Sequence, residues 1–231
     1  MSDADTYASL IREIESRKAS IQRSVVNWGR TNFRRFEWRE NRSPYSVLVS
    51  EILLKRTTAM AAAHVYSKFM SLYPNLEELA KAQSRDVERL LRKIGYHKRR
   101  AKMLIEIANY IQEEFHGKIP ASKQDLLEIP NVGYYTANAV LSLGYGTPAA
   151  MVDTNIERIL CRLFLKHFPK KPRISTVQRI ADLISPTINN QDYNYALLDL
   201  GGLICRYGSP KCKLCPIRKL CDYYSSSKQR D

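Results

Sequence analysis

Five cysteines occupy positions 161, 205, 212, 215 and 221, so four of them fall within seventeen residues. The local string is Cys205-Arg-Tyr-Gly-Ser-Pro-Lys-Cys212-Lys-Leu-Cys215-Pro-Ile-Arg-Lys-Leu-Cys221, a C-x6-C-x2-C-x5-C spacing. The chain opens MSDADTYASL, without a basic segment followed by an apolar run, so no secretory leader is expected. Four thiols this close in such a chain read as a metal or cluster site rather than as two disulfides. Zinc more usually takes two C-x2-C knuckles separated by a longer loop. Here a single C-x2-C pair is flanked by one cysteine on each side, and Pro216 follows the third. A loop wound around a larger object suits a [4Fe-4S] cluster held by Cys205, Cys212, Cys215 and Cys221, with zinc and free thiols as the alternatives. Cys161 lies in the helical run IERILCRLF and reads as a small buried apolar residue.

A second constellation lies mid-chain. Leu126-Leu-Glu-Ile-Pro-Asn-Val-Gly-Tyr-Tyr-Thr136 joins two helices through a tight turn at Pro130, Asn131 and Gly133. Asn and Gly both tolerate positive φ, so the turn exposes successive N–H groups at the start of the next helix, where an anion binds. The charge balance says which anion. With 37 Lys and Arg against 23 Asp and Glu, the net charge is +14, which points to a polyanionic partner, nucleic acid before membrane. A merely solvated basic surface is the plainer explanation of the same charge. Asp153 follows Tyr135 by eighteen residues, in Met151-Val-Asp-Thr-Asn-Ile-Glu-Arg158, and falls at a helix N-terminus, where Asp is a favoured cap.

The elements that must position these residues read as helices throughout. Asn75-x-x-Glu78, Ser122-x-x-Asp125 and Ser175-x-x-Gln178 resemble capping boxes, and Gly95, Gly117 with Pro120, and Pro130 read as stops. Leu104, Ile107, Ala108 and Ile111 recur at helical spacing. No period-2 run and no Asn-Gly hairpin turn is convincing. The fold class is therefore all-α, with about ten helices joined by short loops, and the tail SSSKQRD reads as disordered. At 231 residues, 44% hydrophobic and 26% charged, the chain suits one large domain or two small ones and excludes a disordered protein. No apolar run reaches the roughly 20 residues of a membrane span, and an intracellular protein, cytoplasmic and nucleoid-associated, is expected.

Hairpin, downstream V-D-T-N-I-x-R and four-cysteine loop together resemble the helix-hairpin-helix DNA glycosylases of the endonuclease III superfamily, from about Trp28 to Cys221. Within that superfamily, Gly133-Tyr-Tyr135-Thr136 is similar to the G-K-Y-T of Mig-type mismatch thymine-DNA glycosylases. Endonuclease III has Lys at the position of Tyr135 and MutY-type adenine glycosylases have Ser. Glu51-Ile-Leu-Leu-Lys55-Arg56-Thr-Thr-Ala59 resembles the Mig pattern E-I-L-L-R-R-T-T-A, where MutY-type enzymes carry paired Gln at Lys55 and Arg56. The usual L-P-G-V-G is here Ile129-Pro-Asn131-Val-Gly133, and Asn reaches the same backbone region at modest cost.

The resemblance implies two helical domains flanking a cleft. A six-helix barrel with the hairpin would span 36–147, and a discontinuous domain of 1–35 and 148–231 would carry the cluster loop 205–221. It also implies that Asp153 is the catalytic carboxylate, with Tyr135 and Glu51 lining the pocket. The DNA contacts implied or read from the basic segments are Asn131, Gly133, Lys55, Arg56, Tyr96, Lys98 and Arg100, with Arg206, Lys211, Lys213, Arg218 and Lys219 as a second footprint. Tyr135 has no amine for a Schiff base, so a mainly monofunctional enzyme is expected. The implied partner is double-stranded DNA with a mismatched pair, bound by a monomer. The implied reaction is removal of thymine or uracil opposite guanine. The alternatives are an adenine glycosylase, disfavoured by Tyr135 and by the short stretch after Cys221, and a non-catalytic DNA-structure-binding module on the same fold.

Overall fold

The structure, a computed structural model, describes residues 3–168 and 171–227. Those residues form thirteen α-helices and no strand. The first is α1 (Asp3–Asn32), followed by α2 (Glu37–Glu40), α3 (Pro44–Leu54), α4 (Ala59–Leu72), α5 (Leu76–Ala80) and α6 (Ser84–Leu91). Then come α7 (His97–Phe115), α8 (Lys123–Glu128), α9 (Tyr134–Ala139), α10 (Thr154–Leu163), α11 (Ile174–Ile184), α12 (Asn190–Leu203) and α13 (Asp222–Ser227). The all-α reading holds. The count exceeds the expected ten because α2, α5, α8, α9 and α13 are only four to six residues long, too short to display a 3.6-residue period. No helix is long and apolar enough to cross a membrane.

The chain divides into two compact units, Met1–Arg34 with Pro148–Asp231, and Arg35–Thr147. In the second of these, α3 is the core. Every residue from Ser46 to Leu53 is buried, as expected of a helix that is apolar on all sides. It starts at Pro44, with Ser43 Oγ accepting from Ser46 N at 3.1 Å. A π-helical turn, Val140–Gly144, packs against it so closely that a Cβ on Gly144 would sit 2.8 Å from Pro44 Cα. The α7 stripe Ala101, Leu104, Ile107, Ala108 and Ile111 is buried, and α7 packs on α3, α5 and α6. Asn75 and Ser122 cap their helices, accepting from Glu78 N at 2.9 Å and Asp125 N at 3.1 Å.

The unit made from both chain ends is built around α1 and α12. Leu10, Ile14, Ile21 and Val25 form the buried stripe of α1, and Gly29 admits Ala196 so closely that an added Cβ would lie 2.5 Å from its methyl. Asp199 on α12, fully buried, accepts from Arg34 Nε at 2.5 Å and from Arg34 N at 2.9 Å, fixing the end of α1's exit. Three expectations are corrected here. Ser175 does not cap α11, which begins one residue earlier, and Gln178 instead donates to Ala150 O at 3.1 Å and Asp182 Oδ1 at 3.0 Å. Cys161 is half-buried rather than buried. The tail's Ser225, Ser226 and Ser227 continue α13, with Ser226 Oγ donating to Asp222 O at 2.9 Å; residues 228–231 lie outside the described residues.

Candidate functional site

The hairpin is α8, a turn from Ile129 to Gly133, and α9. Val132 N donates to Ile129 O at 3.1 Å and the Val132 side chain is buried, so the turn is pegged to the core. Asn131 takes the left-handed conformation with φ 66°. Its side chain explains why Asn serves there: Nδ2 donates to Glu106 Oε2 at 3.1 Å on α7, while its carbonyl accepts from Lys55 Nζ at 2.7 Å. Gly133 departs from expectation. Its φ of −105° is open to any residue, and a Cβ there would meet nothing within 4 Å. The glycine therefore satisfies no backbone or packing demand of this chain and leaves the helix entrance clear. Tyr134 points outward, 65% exposed, with Lys123 Nζ 5.4 Å from its ring centroid, whereas Tyr135 is half-buried and Thr136 buried.

Beside the hairpin, Ile52, Lys55, Arg56, Tyr96, Arg99, Arg100, Met103 and Asn131 line a cavity of about 360 Å³. Structure thus brings together five of the expected DNA contacts. Arg56 and Tyr96 both have positive φ, 53° and 47°, and they touch: Arg56 Nη1 donates to Tyr96 Oη at 2.5 Å and its guanidinium lies 5.1 Å over the ring. Lys98, the second residue of α7, is exposed. Arg100 is a correction. It is 2% exposed and its guanidinium is consumed by main-chain carbonyls, donating from Nε to Ile52 O at 3.2 Å and from Nη2 to Lys55 O at 2.5 Å. Nη1 donates to Ile94 O at 3.4 Å and to Gly95 O. Such a side chain contacts no phosphate. Burial lowers its pKa and that of Lys55; for Lys55 the Glu51 carboxylate opposes the fall and Arg99 adds to it. Glu51 is itself 8% exposed, so it is no solvated surface charge.

Asp153 lies in the other unit. Its carboxylate does cap α10: Oδ1 accepts from Asn155 N and Ile156 N, both at 2.8 Å. Oδ2 accepts from Asn155 Nδ2 at 2.8 Å. Asn155 is in turn held by Arg158 Nη2 at 2.7 Å, and Gly201 must lack a side chain because a Cβ there would lie 2.6 Å from Asn155 Cβ. Arg158 also donates to Gly201 O at 2.9 Å and, through Nε, to Cys205 O at 2.8 Å. Sequence reasoning passed over Asn155 and Arg158, although both stand in the V-D-T-N-I-x-R string that singled out Asp153. The arrangement holds one half-buried carboxylate rigidly, with two hydrogen bonds on Oδ1 and one on Oδ2.

The four loop cysteines line one pocket with Arg162, Ile204, Pro210, Tyr223 and Tyr224. Arg162 Nη1 donates to Cys205 Sγ at 3.3 Å and to Arg206 O at 2.8 Å, and Cys221 Sγ donates to Arg162 O at 3.5 Å. Burial pushes the Cys215 thiol up to about 12 and raises Cys212 and Cys221 as well, each further raised by neighbouring cysteines. Such thiols ionise only when a cation compensates them. Among the described residues no three His, Cys, Asp or Glu side chains form a group that could hold a single metal ion. The exit of the loop is tied to α1 through Arg17, which donates to Leu220 O at 3.2 Å and pairs with Asp222 at 3.3 Å.

One unit thus holds a helical hairpin with a clear entrance and a basic cavity beside it, and the other a rigidly held carboxylate. The chain belongs to the HhH-GPD superfamily of base excision DNA repair proteins, whose defining pattern matches residues 49–185. It is 34% identical to a thymine/uracil-DNA glycosylase of Methanothermobacter thermautotrophicus over 91% of this chain and 95% of that protein. It is 36% identical to a thymine-DNA glycosylase of Aeropyrum pernix, over 92% and 97%. Among solved structures, a thermostable thymine-DNA glycosylase superposes with a TM-score of 0.87 at 32% identity, covering 92% of this chain and 98% of that one.

Proposed function

We propose that this chain flips out and hydrolytically removes thymine, or uracil, mispaired with guanine in double-stranded DNA, acting as a monomer. The observation that carries the reading is the fixed carboxylate of Asp153, set in a chain similar along nearly its whole length to thymine/uracil-DNA glycosylases. A base inside a duplex is out of reach, and its extrusion costs least when it is mispaired. Breaking the N-glycosidic bond develops positive charge on the sugar, and a preorganised carboxylate stabilises that charge more than the ground state. Asp153 supplies it and orients the attacking water. Tyr135 packs against the base or sugar, and Glu51 faces the base or a water. With a phenol at position 135, the route is mainly monofunctional.

On the DNA side, Arg56 and Tyr96 are the residues suited to enter the opened duplex, since they protrude as one stacked pair. Asn131, Gly133 and the first N–H groups of α9 suit a phosphate, and Lys55 and Lys98 extend that basic strip. The four cysteines fit a [4Fe-4S] cluster, because half-buried thiols from four positions of one loop line a single pocket, and iron bound there would compensate their charge as thiolates. Cys205, Cys212, Cys215 and Cys221 would supply the thiolate ligands, and the bound cluster would cross-link the loop rather than take a step in the hydrolysis, so that Arg206, Lys211, Lys213, Arg218 and Lys219 are presented on a fixed loop. A single-turnover assay on duplexes carrying T:G, U:G, A:G or thymine glycol tests the reading. Release of thymine and uracil opposite guanine is expected. Release of adenine alone, or tight duplex binding without any release, would overturn it.

A further inference from the structure

Arg100 is too buried to serve as a phosphate contact, and its bonds carry another role. A carbonyl of residue i−1 belongs to the peptide plane whose rotation sets φ of residue i. Arg100 Nη2 binds the Lys55 carbonyl, whose plane sets φ of Arg56, and Nη1 binds the Gly95 carbonyl, whose plane sets φ of Tyr96. These are two of the few non-glycine residues with positive φ, a conformation that costs energy for each of them. The same guanidinium takes Ile52 O, an end carbonyl of α3, and Ile94 O, so one buried side chain clamps two separate chain segments. Among the described residues its partners are carbonyls alone, with no carboxylate to neutralise it. A buried cation so placed is spent on backbone geometry.

We infer that Arg100 is a positioning residue that holds Arg56 and Tyr96 in their left-handed conformations before DNA arrives, so that the stacked pair meets the mismatch preformed. The inference rests on the glycosylase reading for what the pair does, and on the hydrogen bonds alone for how it is held. Without the clamp both segments relax to ordinary φ, the pair separates, and the cost of ordering it falls on the base-opening step.

The test uses the full chain with Arg100→Lys, which keeps the cation but reaches fewer carbonyls, and Arg100→Gln as the second variant. In the free protein, hydrogen exchange is followed at the amides of Lys55, Thr57 and Arg100, which are bonded to Ile52 O, Leu54 O and Tyr96 O at 3.4, 3.3 and 2.8 Å. Faster exchange confined to these segments is expected, with the rest of α7 unchanged. Single-turnover excision is then compared on a paired T:G duplex and on a uracil in an unpaired bulge, which needs no extrusion. The variants should lose about tenfold or more on the T:G duplex and stay within about twofold on the bulge. Equal losses on both substrates, or unchanged exchange, would overturn the inference. Wild-type protein whose Lys55, Thr57 and Arg100 amides exchange without protection would overturn it even if neither variant folds. Wild-type protein that releases no base from either substrate would sink the glycosylase reading instead, and exchange would still judge the clamp.

Discussion

Asp153→Asn separates the capping role of that carboxylate from its proposed chemistry. The amide oxygen keeps both main-chain bonds now made by Oδ1. The amide nitrogen, however, must face Asn155 Nδ2 donor to donor, and the 2.8 Å bond between them is lost. Flipping Asn155 would restore it only by turning an N–H₂ toward Arg158 Nη2, which now donates to Asn155 Oδ1 at 2.7 Å. One hydrogen bond is therefore forfeited, worth about 1 kcal/mol, or roughly 2–4 °C in Tm for a chain of this size. The electrostatic loss is larger. A carboxylate about 4 Å from the developing sugar charge, at an effective dielectric of about 20, contributes about 4 kcal/mol, which is roughly a thousandfold in rate. Single-turnover release of thymine from a T:G duplex, measured beside thermal melting and duplex binding, reads both effects. A rate within about tenfold of wild type would refute the electrostatic role and leave a cap. A Tm drop far beyond about 4 °C would show that the rate fell through the fold.

Purified protein should be yellow-brown with about four irons per chain, and Cys215→Ser should lose that colour and weaken duplex binding before it slows base release by bound enzyme; one zinc and no iron would overturn the cluster. Lys98→Ala should reduce the slope of log affinity against log salt by about one, and an unchanged slope moves the phosphate contact elsewhere. Tyr135→Lys should retain some excision and gain strand cleavage at the resulting abasic site, with borohydride trapping the variant covalently. An excision-competent variant that fails to trap would mean that position 135 does not face the sugar, and strong trapping by wild type would mean that another Lys acts as nucleophile.

Much of this was legible in the residues. The α7 stripe follows from its spacing, and the caps at Asn75 and Ser122 follow from their side chains. Arg100 was misread because a run of cations suggests a solvated face. Its position, four residues before Leu104 and seven before Ile107, puts it on the buried stripe, and that signal was present. The burial of Glu51, read as lining the pocket, was legible too, since it is a lone carboxylate inside PYSVLVSEILL, a string too apolar to leave any side in water. What spacing could not reveal is tertiary: that Gly201 makes room for Asn155, that Asn131 reaches Glu106, and that Asp199 receives Arg34 from 165 residues away. Those pairings depend on which helices meet, and no local period encodes that.

The union of the two chain ends in one unit sets an order of events during synthesis. The α1 stripe of Leu10, Ile14, Ile21 and Val25 finds its cover in α12, which begins at Asn190. A ribosome adding about 5–20 residues per second reaches that helix roughly 10–30 s after α1 is complete. Meanwhile Arg35–Thr147 is fully translated and has its own buried helix α3 to fold around. The nascent chain thus carries a long amphipathic helix with an uncovered face while its middle is already compact. A chaperone that holds amphipathic helices would meet this protein at α1, and slowing translation between residues 148 and 190 would lengthen that exposure more than slowing it anywhere after α12.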